Sequence, residues 1–386
     1  MSVSGRIYLD NAATSWPKPD TVYQAMDRYN REIGAPVGRS SYREADKVQR
    51  TVETCRTQIA QLIGAASANR IIFTYSGTDS LNLAIQGLVR PNDHVVTTQL
   101  EHNSVLRPLR YLQEHCQVDV TRVAADRQGQ ISAEQVMAAI RPETRLVIVN
   151  HVSNVIGSIQ PVAEIGKACR DRNCLYLVDA AQSFGHLPVD VQEFQCDLLA
   201  APGHKGLCGP TGTGLLYVRS ELEHELRPLR FGGTGTISET DQQPSTMPDR
   251  FESGNHNAVG LFGLAAGVRH VTELGISQIQ AHVMQLGTHL QQRLETFSQV
   301  TTYGCAQDWV RTGVVSLNVA GYDARELAAL LDSAARIQAR AGFHCAPGAH
   351  QTIGTDQMGG TLRLSWSEFN STEDLDRVLE IFEQIG

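Results

Sequence analysis

The stretch Cys174-Leu-Tyr-Leu-Val-Asp179-Ala-Ala-Gln-Ser183, with Asp197-Leu-Leu-Ala-Ala-Pro-Gly-His-Lys205 after it, decides the fold class. Each half carries a short unbroken apolar run, the mark of a strand covered on both faces, and each run closes in polar residues. Working outward, β-rich runs cover Ile71–Tyr75, His94–Thr98, Val118–Val123, Arg145–Asn150 and Gly214–Val218, beside Cys174–Val178 and Asp197–Ala200. Helix-like segments separate them at Ser80–Val89, Ser132–Ile140 and Val162–Arg172. Repeated βα units predict an α/β protein with a mostly parallel sheet flanked by helices. Residues 231–257 break this rhythm with Gly232-Gly233-Thr234-Gly235 and two prolines, a loop-rich crossing. Long helical patterns follow at Gly260–Leu274 and Ser277–Phe297, then strands near Val314–Val319, Ile337–Ala341 and Leu362–Trp366, and a closing helix from Thr372. The expected layout is a large domain over residues 16–255 and a smaller α+β domain built from 1–15 plus 256–386.

Composition narrows the function. With 386 residues, 41% of them apolar, the chain has material for about two cores. Its net charge is −8 and its basic residues form no stripe, which argues against nucleic acid or an anionic membrane as partner. Apolar runs such as Leu146–Val149 are strand-sized, and Arg6, Asp10 and Asn11 occupy the region where a signal peptide carries its apolar stretch. The expectation is a soluble, cytoplasmic protein. Eight cysteines without a C-x-x-C pair read as reduced thiols, so no disulfide framework and no metal site is expected.

Ligands of open parallel sheets bind beyond the carboxyl ends of the strands, and here those positions are polar. Ser76-Gly77-Thr78-Asp79 follows the first strand and opens a helix, leaving backbone N–H groups free for a phosphate. Alone, it is an ordinary helix cap. Glu101-His102-Asn103, Asn150-His-Val-Ser-Asn154 and Asp179-Ala-Ala-Gln182 close later strands. Asp179 ends an apolar strand and is costly to bury without a cation. Lysine occurs only at Lys18, Lys47, Lys167 and Lys205. Lys18 sits in a Pro-Lys-Pro turn and Lys47 and Lys167 in polar helical contexts, which leaves Lys205 to face Asp179 across one cleft. A strand-end lysine, a neighbouring strand-end acid and a helix N-terminus are the parts a pyridoxal phosphate site requires: an amine for the Schiff base, an acid for the pyridine nitrogen, and N–H groups for the phosphate. Dinucleotide and P-loop motifs fail on glycine order and spacing.

These residues, together with Tyr8-Leu-Asp-Asn-Ala-Ala-Thr14, Ser153-Asn-Val-Ile-Gly157, Gly209-Pro-Thr-Gly212, Arg250-Phe-Glu-Ser-Gly254, Asn257, Cys345, Arg363-Leu-Ser365 and Asn370, run nearly end to end. The chain thereby resembles the class V aminotransferase-like, fold type I pyridoxal phosphate enzymes, within them the cysteine desulfurase and selenocysteine lyase group. The resemblance implies Lys205 as Schiff-base lysine and general base, Asp179 on the pyridine nitrogen, and His102 stacked on the ring. It places Gln182 and Asn154 near the ring oxygen, and Gly77, Thr78 and His204 at the phosphate. Asn154 and Arg363 would hold the substrate α-carboxylate, a task that suits the planar fork of arginine. It further implies a homodimer, L-cysteine or a related sulfur or selenium amino acid as substrate, and a protein sulfur acceptor.

Cys345 lies in Arg340-Ala-Gly-Phe-His-Cys345-Ala-Pro-Gly-Ala-His350. A buried apolar thiol is the bland reading. Its Gly/Pro loop, with His344, His350 and Arg340 nearby, points instead to a thiol of lowered pKa. The family's short-loop subgroup carries its sulfur-accepting cysteine here, which implies conversion of L-cysteine to L-alanine with a persulfide on Cys345. The alternatives are a cysteine or cystine C–S lyase or a selenocysteine lyase on the same fold, and a non-catalytic scaffold. Two positions depart from the family. Pro202 stands where Ser or Thr is usual, and Asn255 where Thr is usual, both hydroxyls serving the cofactor phosphate, the second from the partner subunit. Asn255 can still donate a hydrogen bond; Pro202 cannot.

Overall fold

The computed structural model describes residues 5–38, 41–236 and 239–385. Residues 237 and 238 of the loop-rich crossing, and residues 1–4 and 386 of the expected smaller domain, lie outside the described residues. In chain order, β1 (Ile7–Tyr8), α1 (Asp20–Arg28) and α2 (Arg43–Leu62) precede β2 (Ile71–Thr74), α3 (Gly77–Leu88), β3 (His94–Thr98), α4 (Asn103–Cys116), β4 (Asp119–Val123), α5 (Ala133–Ala139), β5 (Thr144–Asn150), α6 (Val162–Asp171), β6 (Leu175–Asp179), β7 (Leu198–Pro202) and β8 (Gly214–Val218). Strands β2 to β8 form one seven-stranded sheet in the order β2-β8-β7-β6-β5-β3-β4. Only β8 runs against its neighbours. From β3 the chain steps outward to β4, then returns across β3 to β5, β6 and β7. This reversal opens a crevice at the carboxyl ends of β3 and β5, the place where doubly wound sheets bind ligands.

The central strands β7 and β8 are buried along their whole length and β5 at every residue but Arg145, as their apolar runs require. One apolar cluster on this sheet joins α2 and α6 to alternate strand residues such as Val147, Val149 and Tyr176. A second, on the other face, joins α3 and α4 to Leu146, Ile148 and Leu177. The alternation of neighbours between clusters is the period of two that directs side chains to opposite faces.

After the crossing come α7 (Ala258–Leu274), α8 (Ile276–Leu294), β9 (Val300–Tyr303), α9 (Ala306–Thr312), β10 (Val314–Val319), α10 (Ala324–Ala335), β11 (Ile337–Gln338), β12 (Arg340–Gly342), α11 (Pro347–Ile353), β13 (Thr361–Ser365) and α12 (Thr372–Ile385). Strands β12-β13-β10-β9 make an antiparallel sheet, and β1 pairs with β11. A separate apolar core includes Trp309, Leu317, Leu364, Trp366 and Phe382.

The expected elements differ in three places. The strand expected over Ile337–Ala341 splits at Ala339, because β11 pairs with β1 while β12 pairs with β13. Helix α3 begins three residues before Ser80, where the Ser76 side chain accepts from Asp79 N and sets the cap. The first turns of α7, through Leu261, Phe262, Leu264 and Val268, are packed in the large sheet's core, and only its last turns reach the smaller core, through Val271 and the partly buried Leu274. A boundary at residue 256 therefore assigns to the smaller unit a helix whose apolar face belongs mostly to the larger one.

One ion pair braces the crossing. Arg56, on α2, donates from Nη1 to Glu252 Oε1 at 2.7 Å and from Nη2 to Oε2 at 3.0 Å, with both side chains buried. Glu252 Oε1 also accepts from Phe73 N at 2.6 Å, which ties the segment before Asn255 to β2. Glu252→Ala removes the buried counter-charge of Arg56 and leaves only the partly exposed Glu53 carboxylate at 3.5 Å, so unfolding stability in urea should fall by about 3–5 kcal/mol. The double replacement Arg56→Met/Glu252→Leu should recover most of that loss. No helix among the described residues is long and apolar enough to cross a membrane.

Candidate active site

The crevice is a cavity of about 190 Å³ lined, among others, by Gly77, Thr78, His102, Asn154, Asp179, Gln182, His204, Lys205, Arg340 and Arg363. Nearly all the residues expected from sequence thus meet in one place. Asp179 ends β6 beside Asn150 of β5 and Ala200 of β7, so strand register sets it at the cavity floor. Lys205 follows β7 and is half-buried, lining the cavity.

Burial dominates the electrostatics. It pushes the Lys205 amine down to about 8, against the raising influence of Asp179, with Arg363 and Arg340 adding to the fall. It raises Asp179, outweighing both the hydrogen bond from Ala181 N at 2.9 Å and the charge of Lys205. Among the described residues, the direct ion pairs do not include Asp179 and Lys205; the two act on each other across the cavity. The cation expected beside Asp179 is therefore not in contact with it, and the backbone N–H of Ala181 is its partner.

His102 is the N-cap of α4, its Nδ1 accepting from Ser104 N at 3.0 Å. That bond puts the proton of the neutral ring on Nε2. Burial, then the nearby cations, holds the ring neutral by lowering its pKa to about 4. Thr78 Oγ1 shares a hydrogen bond of 2.7 Å with Ser104 Oγ, which links the first turns of α3 and α4.

The phosphate end fits an anion. At the N-terminus of α3 the cap side chain satisfies Asp79 N, leaving the N–H groups of Gly77 and Thr78 toward the cavity they line. His204 Nδ1 is buried without a partner. Pro202 packs on this turn: a Cβ on Gly77 would stand 3.1 Å from Pro202 Cδ. In place of a hydroxyl, position 202 offers its ring and backbone nitrogen in close contact with Gly77, tight enough that a Cβ there would make Pro202 shift by a few tenths of an ångström. Asn255 does not line this cavity but a neighbouring depression with Tyr75, Arg230 and His256.

Arg363 is buried on β13. Its Nη2 donates to Asp10 Oδ1 at 2.6 Å and its Nη1 to Asn154 O at 2.9 Å, while its buried Nε has no partner. The fork is held rigid with one donor edge incompletely used, the state that receives a carboxylate. Two expected contacts are partly committed elsewhere: Asn154 Nδ2 donates to His344 O at 2.7 Å and Gln182 Nε2 to Ala12 O at 2.9 Å.

Cys345 is half-buried beside Arg340, whose Nη2 donates to its sulfur at 3.5 Å. Its loop is pinned to the large unit by Asn103 N donating to Cys345 O at 2.7 Å and by the Asn154–His344 bond. Both His344 (φ 48°) and Cys345 (φ 61°) take the left-handed conformation, costly for residues with a side chain and kept where the surroundings enforce it. The expectation that His344 and His350 acidify the thiol needs correcting. Burial pushes them down to about 2 and about 4, so both rings are neutral, and His344 Nε2 and His350 Nδ1 face Thr361 and Thr355. The positive charge at the sulfur is Arg340.

Sequence reading missed two residues. Lys18 is not a plain turn lysine: its Nζ donates to Ser15 Oγ at 2.7 Å and to His204 O at 2.8 Å, gripping the peptide before Lys205. Glu101 is fully buried, its Oε1 accepting from Thr98 Oγ1 and Asn150 N, and burial pushes its pKa up to about 8. The acid ahead of His102 was a visible signal; the reach of Lys18 across 186 residues was not. Among the described residues no group of three or more His, Cys, Asp or Glu side chains is arranged to hold a metal ion.

A strand-end lysine and acid, a helix N-terminus for phosphate and a capped imidazole at a topological switch point define a pyridoxal-phosphate-type site. The aminotransferase class-V family matches residues 7–378, and the chain belongs to it. It is 37% identical to a probable cysteine desulfurase of Methanothermobacter thermautotrophicus, over 98% of this chain and 94% of that one. It is 32% identical to a cysteine desulfurase of Yersinia pseudotuberculosis, over 98% and 93%. The fold also matches the apo structure of a cysteine desulfurase from Thermococcus onnurineus, with a TM-score of 0.92, 35% identity and coverage of 98% and 94%. Within the family the chain groups with the cysteine desulfurases.

Proposed function

We propose that this chain is a pyridoxal-phosphate-dependent cysteine desulfurase that converts L-cysteine to L-alanine and leaves the sulfur as a persulfide on Cys345. The observation that carries this reading is the thiol of Cys345 beside the Arg340 guanidinium, on a strained loop pinned at the cavity wall. Pyridoxal phosphate, held covalently by Lys205, supplies an electron-withdrawing ring that stabilises negative charge at the substrate Cα. Gly77, Thr78 and His204 would hold its phosphate, and Asp179 would keep its ring nitrogen protonated. Arg363, with Asn154, orients the substrate carboxylate. Lys205 takes and returns the Cα proton, a task matched to an amine near pH 8. Cys345 thiolate attacks the substrate sulfur; the C–S bond breaks and the new S–S bond stays on the protein. His102, which lines the cavity with Nδ1 engaged by Ser104 N, would stack on the ring. The deciding experiment is product analysis with purified enzyme: alanine and a protein-bound persulfide support the reading, whereas pyruvate, ammonia and free sulfide identify a C–S lyase.

The working unit is a homodimer, located in the cytoplasm. Phe231 is 73% exposed and Leu229 and Tyr75 are also exposed on the surface near Asn255, an apolar cluster suited to a subunit interface. Asn255 then completes the phosphate site of the other subunit. Mixing inactive Lys205→Ala protein with an inactive Asn255→Asp protein should restore part of the activity, because one hybrid site receives both intact residues. Mixtures with no activity beyond the separate proteins, despite subunit exchange, would argue against shared sites. A protein of the cell that accepts sulfur from Cys345 completes the cycle.

A further inference from the structure

Cys169 and Cys174 meet where α6 ends and β6 begins, at the opposite end of the sheet from the cofactor cavity. Asn173 takes φ 55°, its N–H bonds Arg170 O at 3.1 Å, and Cys174 N–H bonds Cys169 O at 3.1 Å. These are the two hydrogen bonds of a Schellman ending, which holds the third residue from the helix end against the second residue past its cap. That contact is ordinarily apolar. Here both members are cysteines, and Cys174 Sγ donates to Cys169 O at 3.5 Å. Cys169 is 1% exposed and Cys174 8%. Both line a surface depression of about 100 Å³ walled by Arg170, Asn173, Asp197 and Arg219, wide enough to admit one end of a small molecule.

We propose that Cys169 and Cys174 form a dithiol site, separate from the Cys345 chemistry, that closes to an intramolecular disulfide by exchange with a low-molecular-weight disulfide of the cystine or oxidised glutathione type. Disulfides span Cα atoms roughly 4.4–6.8 Å apart, and residues tied by a hydrogen bond across a helix ending meet that demand with little backbone movement. Cys174 reacts first, being the more exposed of the two. Its thiolate attacks one sulfur of the small disulfide and expels a thiolate, giving a mixed disulfide on Cys174. Cys169 then loses its proton to solvent and attacks Cys174 Sγ, expelling the second thiolate. Two protein thiols are oxidised and one small disulfide is reduced to two thiols.

The test uses holoenzyme incubated with oxidised glutathione, alkylated, and cut by trypsin without reduction. Cleavage after Arg170 and Arg172 places Cys169 and Cys174 on different peptides. The expected result is a disulfide joining Ala168–Arg170 to the peptide that begins at Asn173, lost in Cys174→Ser. In Cys169→Ser, which lacks the resolving thiol, glutathione should remain on Cys174. Cys196 shares the peptide of Cys174, so a link that persists in Cys174→Ser overturns the assignment. Full alkylation of both cysteines in oxidant-treated wild-type protein overturns it as well. Wild-type protein decides the question even if a variant fails to fold.

Discussion

Cys345→Ala should lower alanine formation from L-cysteine by roughly 10³-fold or more and abolish the protein-bound persulfide, while leaving the visible spectrum of the holoenzyme unchanged. Sulfur cannot leave the substrate as a persulfide unless a thiolate reaches it. On the proposed reading that thiolate is Cys345, half-buried next to Arg340 on a loop tied to both Asn103 and Asn154, with the preceding His344 lining the cavity. Cofactor contacts come from other elements, which is why binding and spectrum should survive. Cys305→Ala, removing another half-buried thiol, is the control and should stay near wild type. Activity on selenocysteine should fall less, since selenium departs more readily without nucleophilic help. Unchanged sulfur release in Cys345→Ala, with pyruvate as the carbon product, would replace the desulfurase reading by the lyase.

Lys205→Ala should reduce turnover by at least roughly 10³-fold, because it removes both the covalent anchor and the base for the Cα proton. Borohydride should fix cofactor to the wild-type protein at Lys205 only; fixation at Lys18, Lys47 or Lys167 would end this assignment. The lowered pKa supplies a second signature. Only the neutral amine attacks an aldehyde, and burial brings the Lys205 amine to about 8 in place of its usual value. Capture of pyridoxal phosphate by apoenzyme should thus accelerate by ~20-fold between pH 6.5 and 8.5, with a midpoint near 8. The sign follows from the lysine: it is charged and unreactive below its pKa and neutral above it. A midpoint near that of a solvated lysine, about 10.4, would show that the amine is not desolvated.

Much of the site was legible before any coordinates. Lys205 and Asp179 stood out because lysines are few and because each follows an apolar run that reads as a buried strand. Gly77 and Thr78 were visible as a turn between strand and helix, and His102 as a polar residue closing a strand. Cys345 needed the family pattern, since composition alone makes it one of eight. The charge acting on it was misjudged. Sequence proximity suggested His344 and His350 together with Arg340, but the low pKa of a desolvated imidazole removes the charge of both histidines. Arg340 therefore carries the interaction.

The sequence by itself determined the parallel architecture, the strand ends and the residue types at those ends, because hydrophobic periodicity and turn chemistry act over a few neighbouring residues. Only the tertiary structure decided which distant groups meet. Asp10 lies against Arg363, Lys18 against the carbonyl of His204, Arg56 against Glu252, and α7 belongs mostly to the larger core. These contacts depend on strand order, register and helix docking across the whole chain, and so do the degrees of desolvation that set the charge states of Lys205, Glu101 and His344. No local pattern encodes how much water a fold excludes from a side chain, and that exclusion turns a lysine into a base near pH 8.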